Sequence, residues 1–552
     1  MTATATAPVR AAESGGRSTL AGTGTLIRFI LRRDRVRLPV WIGAIGLFTI
    51  GSVASLPDIY LDDADLAARA DLMNNPGLRV VSGPGYGLDD YTFGAMIAHE
   101  YLSWIAVFVG LMSILLVVRH TRAEEETGRA ELVRAGVVGR HASLTAAMIV
   151  IAGAHIVLGA LVALGLGSLG LENVGQESSW LFGAALAAIG IVFVGVTAVT
   201  VQISEHGRGS GGLAGAALAL AYFLRAAGDA GQDPSSTLSW LSPIGWSQQT
   251  RVYVDDRWWP LLLSVALTIV LAGIGYRLNA RRDVGAGLIR SRPGAPTAPA
   301  SLSSPVGLAW RLNRSATMWW SIALLLFGLG YGTIVSEAES FAEEFSAMED
   351  LLDNFGGTSI IDTFLAMLIS LMAVAVSVYA VLTVLRLRSE ETGGRAEPVL
   401  ATATSRMGWV ASHVTVAMVS SAVILLLGVL GLGVTAAAAL EDGSVLPRLL
   451  GAGLAYLPAI WLTVGLGVAL FGVVPRATAL VWILISYAAL IGSFAAILDL
   501  PEWTLDLSPF GHVPALPAVD MAWTPVLVLT GIAVGLFAVG LWGFRLRDLE
   551  TK

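Results

Sequence analysis

About twelve runs of apolar residues, each roughly 18 residues or longer, constrain this chain more than any other feature of its sequence. A helix of that length spans the hydrocarbon core of a bilayer and satisfies its backbone hydrogen bonds internally. The apolar fraction of 55% and the mean hydropathy of +0.71 also indicate an all-α, polytopic membrane protein. The runs lie near residues 38–56, 101–118, 143–168, 180–201, 209–226, 260–276, 317–336, 363–385, 410–437, 449–472, 478–497 and 526–544.

One charged segment occurs twice between these runs, at residues 124–140 and 390–406. The last twelve residues of the two copies align without a gap, at a constant offset of 266. Upstream, Glu125–Gly128 is matched with Glu390–Gly393, which makes Gly394 a one-residue insertion. A repeat at this period predicts two homologous halves of six membrane helices each.

Each copy is predicted to form a short amphipathic helix. Its apolar residues follow the i, i+3, i+7 spacing of one helix face. They are Ala130, Val133 and Val137 in the first copy, and Ala396, Val399 and Ala403 in the second. We therefore expect a rigid, charged helix at one end of each half.

A second element repeats at the same offset, just before the last run of each half. Leu241–Gly245 corresponds to Leu507–Gly511, with several Trp residues nearby that suit a membrane interface. Most of the 34 Lys and Arg residues fall in segments on the side of the N-terminus. That bias predicts that both termini and both repeated loops are cytoplasmic, and that this second element lies outside.

The repeated loop, with its acidic pair, glycine and distal arginine, resembles the coupling loop of ABC-2-type exporter permeases. The whole chain, with two such halves fused, is similar to the polyketide-antibiotic exporter branch of that family. The resemblance implies that the loop docks on an ATPase subunit, and that the second element forms re-entrant helices at the exit. The implied coupling residues are Glu125, Glu126, Gly128, Glu131, Arg140, Glu390, Glu391, Gly393, Glu397 and Arg406. The implied residues of the re-entrant region are Ser242, Pro243, Gly245, Ser508, Pro509 and Gly511.

The favoured function is that of a permease subunit that exports hydrophobic or amphipathic compounds, such as polyketide-type antibiotics or drugs. Lys552 is the only lysine, so the sequence contains no GxxxxGK[ST] phosphate loop. The chain is then not itself an enzyme, and it needs two copies of a separate P-loop ATPase to bind ATP and magnesium. It carries no cofactor of its own, and nothing in its charge of −7 suggests a nucleic-acid partner.

Two other functions compete with this one. A proton-coupled secondary transporter also often has pseudo-symmetric halves, but no Asp or Glu lies inside the twelve runs. The intramembrane polar candidates are His155 and Arg225. A membrane-embedded transferase would use acids of the first outer loop such as Asp62 and Asp89, which have no matched set in the second half. No metal site is expected, and the chain has no cysteine.

The predicted organisation has four parts. Residues 1–23 form a disordered cytoplasmic tail, 24–279 the first six-helix half, 280–305 a Pro-rich cytoplasmic linker, and 306–548 the second six-helix half. By the resemblance, the chain lies in a bacterial cell membrane.

Overall fold

The computed structural model describes residues 19–550, apart from residues 75, 230–235, 284, 290–293, 295, 334, 336–358, 495–500 and 502. In that part of the chain the regular structure is helical, and the one β feature is an isolated parallel bridge between Ser204 and Ile289. The fold class is therefore that of an all-α, polytopic membrane protein, as the apolar runs predict. Most of the predicted tail, residues 1–18, lies outside the described residues.

The chain divides into two compact units, Met1–Pro293 (unit 1) and Gly294–Lys552 (unit 2). The division falls inside residues 280–305, but the first part of that segment is not free. The Leu288 and Ile289 amides donate to the carbonyls of Gln202 and Ile203, both at 3.0 Å. Residues 288–289 are thus fixed to unit 1.

Unit 1 is built from helices of very different lengths. They are α1 (Thr23–Arg33), α2 (Arg37–Ala54), α3 (Leu56–Ile59), α4 (Asp63–Met73), α5 (Pro76–Ser82), α6 (Phe93–Met96), α7 (Leu102–His120), α8 (Arg122–Glu126), α9 (Arg129–Arg134), α10 (Ala142–Ser168), α11 (Gln176–Ile203), α12 (Gly207–Asp229), α13 (Thr237–Trp240), α14 (Pro243–Gln248) and α15 (Leu261–Arg281). A π-helical turn, Ile97–Tyr101, joins α6 to α7.

Unit 2 repeats the pattern with fewer short helices among its described residues. All its described α-helices are α16 (Pro305–Gly332), α17 (Ile360–Thr392), α18 (Ala396–Leu400), α19 (Arg406–Ala439), α20 (Val445–Val473), α21 (Val481–Phe494), α22 (Trp503–Asp506) and α23 (Trp523–Leu546). Short 3₁₀ helices lie at Leu88–Asp90, Ala300–Ser303 and Pro475–Leu480.

Eleven helical segments of the described chain are long and apolar enough to cross a membrane. They are Arg37–Ile59, Phe93–Glu126, Ala142–Ser168, Gln176–Ile203, Gly207–Asp229, Leu261–Arg281, Ile360–Thr392, Arg406–Ala439, Val445–Val473, Pro475–Gly492 and Trp523–Leu546. The predicted run near 317–336 falls in α16, a 28-residue helix outside this set. α16 has Arg311 and Arg314 in its first half, followed by the adjacent tryptophans Trp319 and Trp320.

The helices of each unit pack closely through glycine. A Cβ on Gly183 of α11 would lie 2.1 Å from the carbonyl oxygen of Gly159 in α10, and one on Gly472 of α20 would lie 2.0 Å from that of Gly540 in α23. Small residues let helix backbones approach where lipid supplies no hydrophobic driving force. The spans of each unit are therefore held together by dense packing around an apolar core.

Unit 1 has one residue more than unit 2 at the start of its second span. The capping side chains Thr92 and Ser359 begin the two spans, and they are 267 positions apart. After the spans the offset returns to 266. The π turn Ile97–Tyr101 accommodates the extra residue, because a π turn holds one residue more than an α turn.

Candidate functional site: the anchored loops

Two short helices joined by a left-handed glycine form the first repeated loop (residues 124–140). α8 continues the second span, and α9 follows after the turn at Gly128. Gly128 has a φ of 72°, which residues with a Cβ rarely adopt. Glycine at this position therefore lets the chain turn between the two helices.

The second repeated loop (residues 390–406) has the same construction in a register that differs from the predicted alignment. Its left-handed glycine is Gly394, with a φ of 70°, whereas Gly393 has a φ of −85°. Gly394 is the counterpart of Gly128, so the predicted one-residue insertion is wrong. The conformation that requires glycine identifies the equivalent position, and the offset of 266 extends through the glycine without a gap.

The glutamates of the two loops follow this corrected register. Glu390 and Glu391 correspond to Glu124 and Glu125, one position away from the predicted matches. Two kinds of ion pair recur at the offset of 266. They are Glu124–Arg129 with Glu390–Arg395, and Arg122–Glu125 with Arg388–Glu391.

In unit 1, Glu125 is held by the residue that follows the last span. Arg282 donates from Nη2 to Oε1 at 2.7 Å and from Nη1 to Oε2 at 2.8 Å. Arg122 donates to Oε2 at 2.7 Å. Only 8% of the Glu125 side chain is exposed, so this bidentate pair is shielded from water, where such bonds are strong.

Further hydrogen bonds fix the chain that leaves α15. Arg122 and Arg282 both donate to the Ala286 carbonyl at 3.1 Å. From the distal end of the loop, Arg140 donates to the Arg282 carbonyl at 3.1 Å. Both ends of the first repeated loop thus bind the same short segment, residues 282–286.

Unit 2 repeats this arrangement. Arg547, the first residue after α23, donates from Nη1 and Nη2 to the two oxygens of Glu391 at 2.6 and 2.7 Å, and the Glu391 side chain is fully buried. Arg406 donates to the Arg547 carbonyl at 2.8 Å. The Glu550 amide donates to Glu391 at 3.0 Å. We call Glu125–Arg282 and Glu391–Arg547 the loop clamps.

The structure therefore separates the predicted coupling residues into two groups. Glu125 and Glu391 contact their own unit through the clamps, and Arg140 and Arg406 donate to the carbonyls of the clamp arginines. Glu131 and Glu397, at equivalent positions, are exposed. Sequence reasoning missed Arg282 and Arg547, although each is an arginine directly after the last span of its half.

Two further predicted coupling residues have local partners. Glu126 accepts a hydrogen bond at 2.7 Å from the amide of Gly207, the first residue of α12, where a carboxylate complements the helix dipole. Glu390 pairs with Arg395 at 2.8 Å. These two glutamates are therefore not equivalent to each other, and Glu126 has a contact that only unit 1 makes.

The predicted apolar helix face is formed only in part. α9 ends at Arg134, so Val137 lies beyond it and is 75% exposed. Ala130 and Val133 instead line a cavity of about 60 Å³ beneath the loop, with Phe29 and Ile30 of α1. In the second loop Ala396 is buried, Val399 packs on the core of unit 2, and Ala403 lies beyond α18. Leu132 is 78% exposed at the position of Pro398, so the two loops present different surfaces.

The second repeated element also recurs in three dimensions. The short helices α13 and α22 precede it at the offset of 266. A Cβ on Gly245 would lie 2.0 Å from the carbonyl oxygen of Ser239, and one on Gly511 would lie 2.5 Å from that of Leu505, at equivalent positions. Ser242 caps α14 and also donates to the Ala221 carbonyl at 2.6 Å.

In unit 2 the corresponding stretch is less regular. The Ser508 hydroxyl accepts from the Phe510 amide at 3.3 Å, and turns follow Pro509 where α14 follows Pro243 in unit 1. The two glycine contacts are therefore common to both units, and the helix after the proline is not.

Both predicted intramembrane polar residues are fully buried in unit 1. His155 Nε2 lies 2.6 Å from the Ser113 hydroxyl, which donates to the Gly190 carbonyl at 2.8 Å. This histidine therefore joins three packed helices. Arg225 pairs with Asp229 at 3.4 Å.

The end of unit 1 opposite the repeated loop, its far end, holds a partly buried polar network that sequence reasoning missed. Arg69 donates to the two oxygens of Glu100 at 3.0 and 2.6 Å, and the Tyr91 hydroxyl donates to the same carboxylate at 3.0 Å. Burial, and after it the Glu100 carboxylate, raises the pKa of Tyr91 well above its usual value, so this hydroxyl keeps its proton. The second span begins at Phe93, not near residue 101, so Glu100 lies inside it.

Side chains from the spans also bind the end of α5. The carbonyls of residues 79–83 accept hydrogen bonds from Arg225 (Arg79 and Val81), Tyr222 (Val81), Ser103 and Gln248 (Ser82), and His99 (Gly83). The last carbonyls of a helix have no partner within it, and the Arg79 carbonyl also accepts from the Gly83 amide at 3.0 Å. The segment is therefore anchored to the second and fifth spans and to α14.

Among the described residues, no group of three or more His, Asp or Glu could hold a metal ion.

The family model described as "Multidrug efflux system permease Rv1217c, C-terminal domain" matches residues 27–278 and 302–545. The chain is also 43% identical over 541 residues to the Multidrug efflux system permease protein Rv1217c of Mycobacterium tuberculosis. That alignment covers 97% of this chain and 96% of the relative. The chain therefore belongs to this family of multidrug efflux permeases, which are multi-pass membrane proteins with a role in transport.

Proposed function

We propose that this chain is the permease subunit of an ATP-binding-cassette exporter of the ABC-2 type. Two copies of a separate P-loop ATPase would dock on the repeated loops at the cytoplasmic face. ATP hydrolysis by those subunits would drive hydrophobic or amphipathic compounds, polyketide-type antibiotics and drugs among them, out of the cell. The termini would be cytoplasmic, in a bacterial cell membrane.

The observation that carries this proposal is the clamped loop present in each unit. A loop that is only a connection between spans needs no buried bidentate ion pair to the end of another span. A loop that receives force from a partner must be stiff, and each clamp supplies that stiffness. The relative's name describes a permease of an efflux system, which also fits a chain that works with another component.

The surface left for the partner is now narrower than the sequence suggested. Glu125 and Glu391 are buried in the clamps, whereas Glu131 and Glu397 are exposed beside Leu132 and Pro398. ATP and magnesium would be bound by the partner, because the chain has no phosphate-loop lysine.

A proton-coupled secondary transporter is the competing function, and the structure adds one observation in its favour. Glu100 lies in the second span with 16% of its side chain exposed, and Asp34 is fully buried beside His120. Both carboxylates already have partners and lie near the ends of spans, which is more typical of structural pairs than of a proton relay across the membrane.

Co-purification with a candidate P-loop ATPase tests the proposal, with the wild-type chain compared with the double variant Glu131→Arg/Glu397→Arg. We expect the wild type to retain the ATPase and the double variant to lose most of it. Arg281→Glu, at an exposed arginine outside the loops, is the matched control and keeps the ATPase bound. Efflux that continues without any ATPase and follows the proton gradient would instead establish the secondary transporter.

A further inference from the structure

The arginine that follows the last span in each unit touches three parts of that unit at once. Its guanidinium holds the loop glutamate, and its carbonyl accepts from the distal loop arginine. It also reaches the fourth span. Arg282 donates from Nε to the Gln202 side chain of α11, and the Arg547 guanidinium lies 4.9 Å from the Phe471 ring of α20.

This geometry resists relative motion of the loop and the last span. Two parallel hydrogen bonds between a guanidinium and a carboxylate fix orientation as well as distance. The side chains are shielded, with 5% of Arg282 and 14% of Arg547 exposed. Separating either pair would leave a poorly solvated charge on each side.

Chain connectivity alone does not provide this link. Each loop is covalently continuous with the second and third spans of its unit, and the last span begins more than 100 residues later in the sequence. The clamp joins the loop to the end of the last span through an ion pair, and in unit 1 the Asn279 side chain of α15 also donates to the Arg140 carbonyl at 3.3 Å. A displaced loop would therefore move the second and third spans through the chain and the last span through the arginine.

We propose that Arg282 and Arg547 are positioning residues that transmit movement of the repeated loops to the last span of each unit. This inference rests on the proposed function, because the force on the loops would come from the partner ATPase. The arginines would not contact that partner, since their guanidinium groups face inward. Their substitution should then separate partner binding from transport.

The test measures efflux of rhodamine 6G from cells that express the full chain, together with ATPase co-purification. Arg282→Glu and Arg547→Glu each place two carboxylates face to face. We expect each to lower the efflux rate about tenfold or more, because an unpaired buried charge disrupts the site. Both should retain the ATPase. Reversed pairs, Glu125→Arg/Arg282→Glu and Glu391→Arg/Arg547→Glu, should restore efflux to within about threefold of wild type, because they rebuild the pair.

Arg281→Glu and Arg545→Glu are matched controls, since both arginines are exposed and close to the clamps in sequence. They should transport like wild type. If the variant Arg282→Glu or Arg547→Glu does not reach the membrane, Arg282→Lys or Arg547→Lys replaces it in the test. Lysine keeps the positive charge and loses the bidentate geometry. These variants should show an intermediate loss of efflux.

Wild-type efflux by the reversal or lysine variants would overturn the inference. So would reversed pairs that reach the membrane in wild-type amounts and do not recover efflux. If no ATPase binds the wild type and efflux is independent of ATP, the proposed function fails. Recovery of efflux in the reversed pairs would show that the clamps are needed for efflux, whichever energy source drives it.

Discussion

At the loop end, units 1 and 2 repeat one bidentate clamp, whereas three side-chain donors at the far end of unit 1 have no counterpart at the equivalent described residues of unit 2. In unit 1, Ser103, Tyr222 and Arg225 bind backbone carbonyls of residues 79–82. The residues 266 positions later in unit 2 are Ile369, Ala488 and Ile491, which offer no donor. The extra residue in the π turn of unit 1 lies beside this network, at Ile97–Tyr101.

Among the described residues, the repeat of polar contacts is therefore closer at the loop end than at the far end. A π turn inside an α-helix is often found at a functional site. Here it occurs in the second span of unit 1 and places His99 and Glu100 within the polar network. Among the described residues, the two units are therefore alike in the clamp and unlike in the polar contacts at the opposite end of the spans.

The largest effect is expected from Arg225→Ala in unit 1. The substitution leaves Asp229 buried without its cation and removes the donor to Arg79 and Val81. Breaking a buried pair in this way should lower the free energy of unfolding by about 3–5 kcal/mol. Thermal unfolding in detergent measures this loss of stability, and the variant Arg208→Ala, at an exposed arginine on the same helix, is the control. Equal melting temperatures for the two variants would show that the polar far end is not structural.

A smaller and symmetric effect is expected at the repeated far-end glycines. Gly245→Ala and Gly511→Ala each force a Cβ against a backbone carbonyl of the preceding short helix. Both should be destabilised by about 1–3 kcal/mol through overpacking. Gly531→Ala is the control, because no atom lies within 4 Å of its Cβ position. Loss of stability at only one of the two sites would mean that the far ends share even less than the structure indicates.

The smallest effect is expected at the loop glycines. Gly128 and Gly394 both have open space for a Cβ, so Gly128→Ala and Gly394→Ala should differ from wild type only through the left-handed backbone, by about 1 kcal/mol each. Asn substitutions should cost less, since Asn tolerates that conformation. Denaturant or thermal unfolding compares them. If Gly394→Ala is neutral while Gly128→Ala is not, the corrected register of the two loops is wrong.

Composition and periodicity determined the class of this protein and most of its helices. A run of apolar residues long enough to cross a bilayer must form a helix, because no other partner exists there for its backbone groups. Eleven of the predicted runs are spans of the expected kind. The repeated loop was also visible in sequence, because glutamate, glycine and arginine recur at a fixed offset.

Only the tertiary structure decided which loop residues face inward. Glu125 and Glu126 are neighbours with the same chemistry, but one meets Arg282, 157 positions away, and the other meets the start of α12. Local sequence carries no information about such a partner. The same holds for Arg69 with Glu100, and for the register of Gly394, which the backbone angle revealed. Hydropathy determined where the helices lie in the sequence. How the helices pack determined which distant charges pair, and therefore which partner each loop residue contacts.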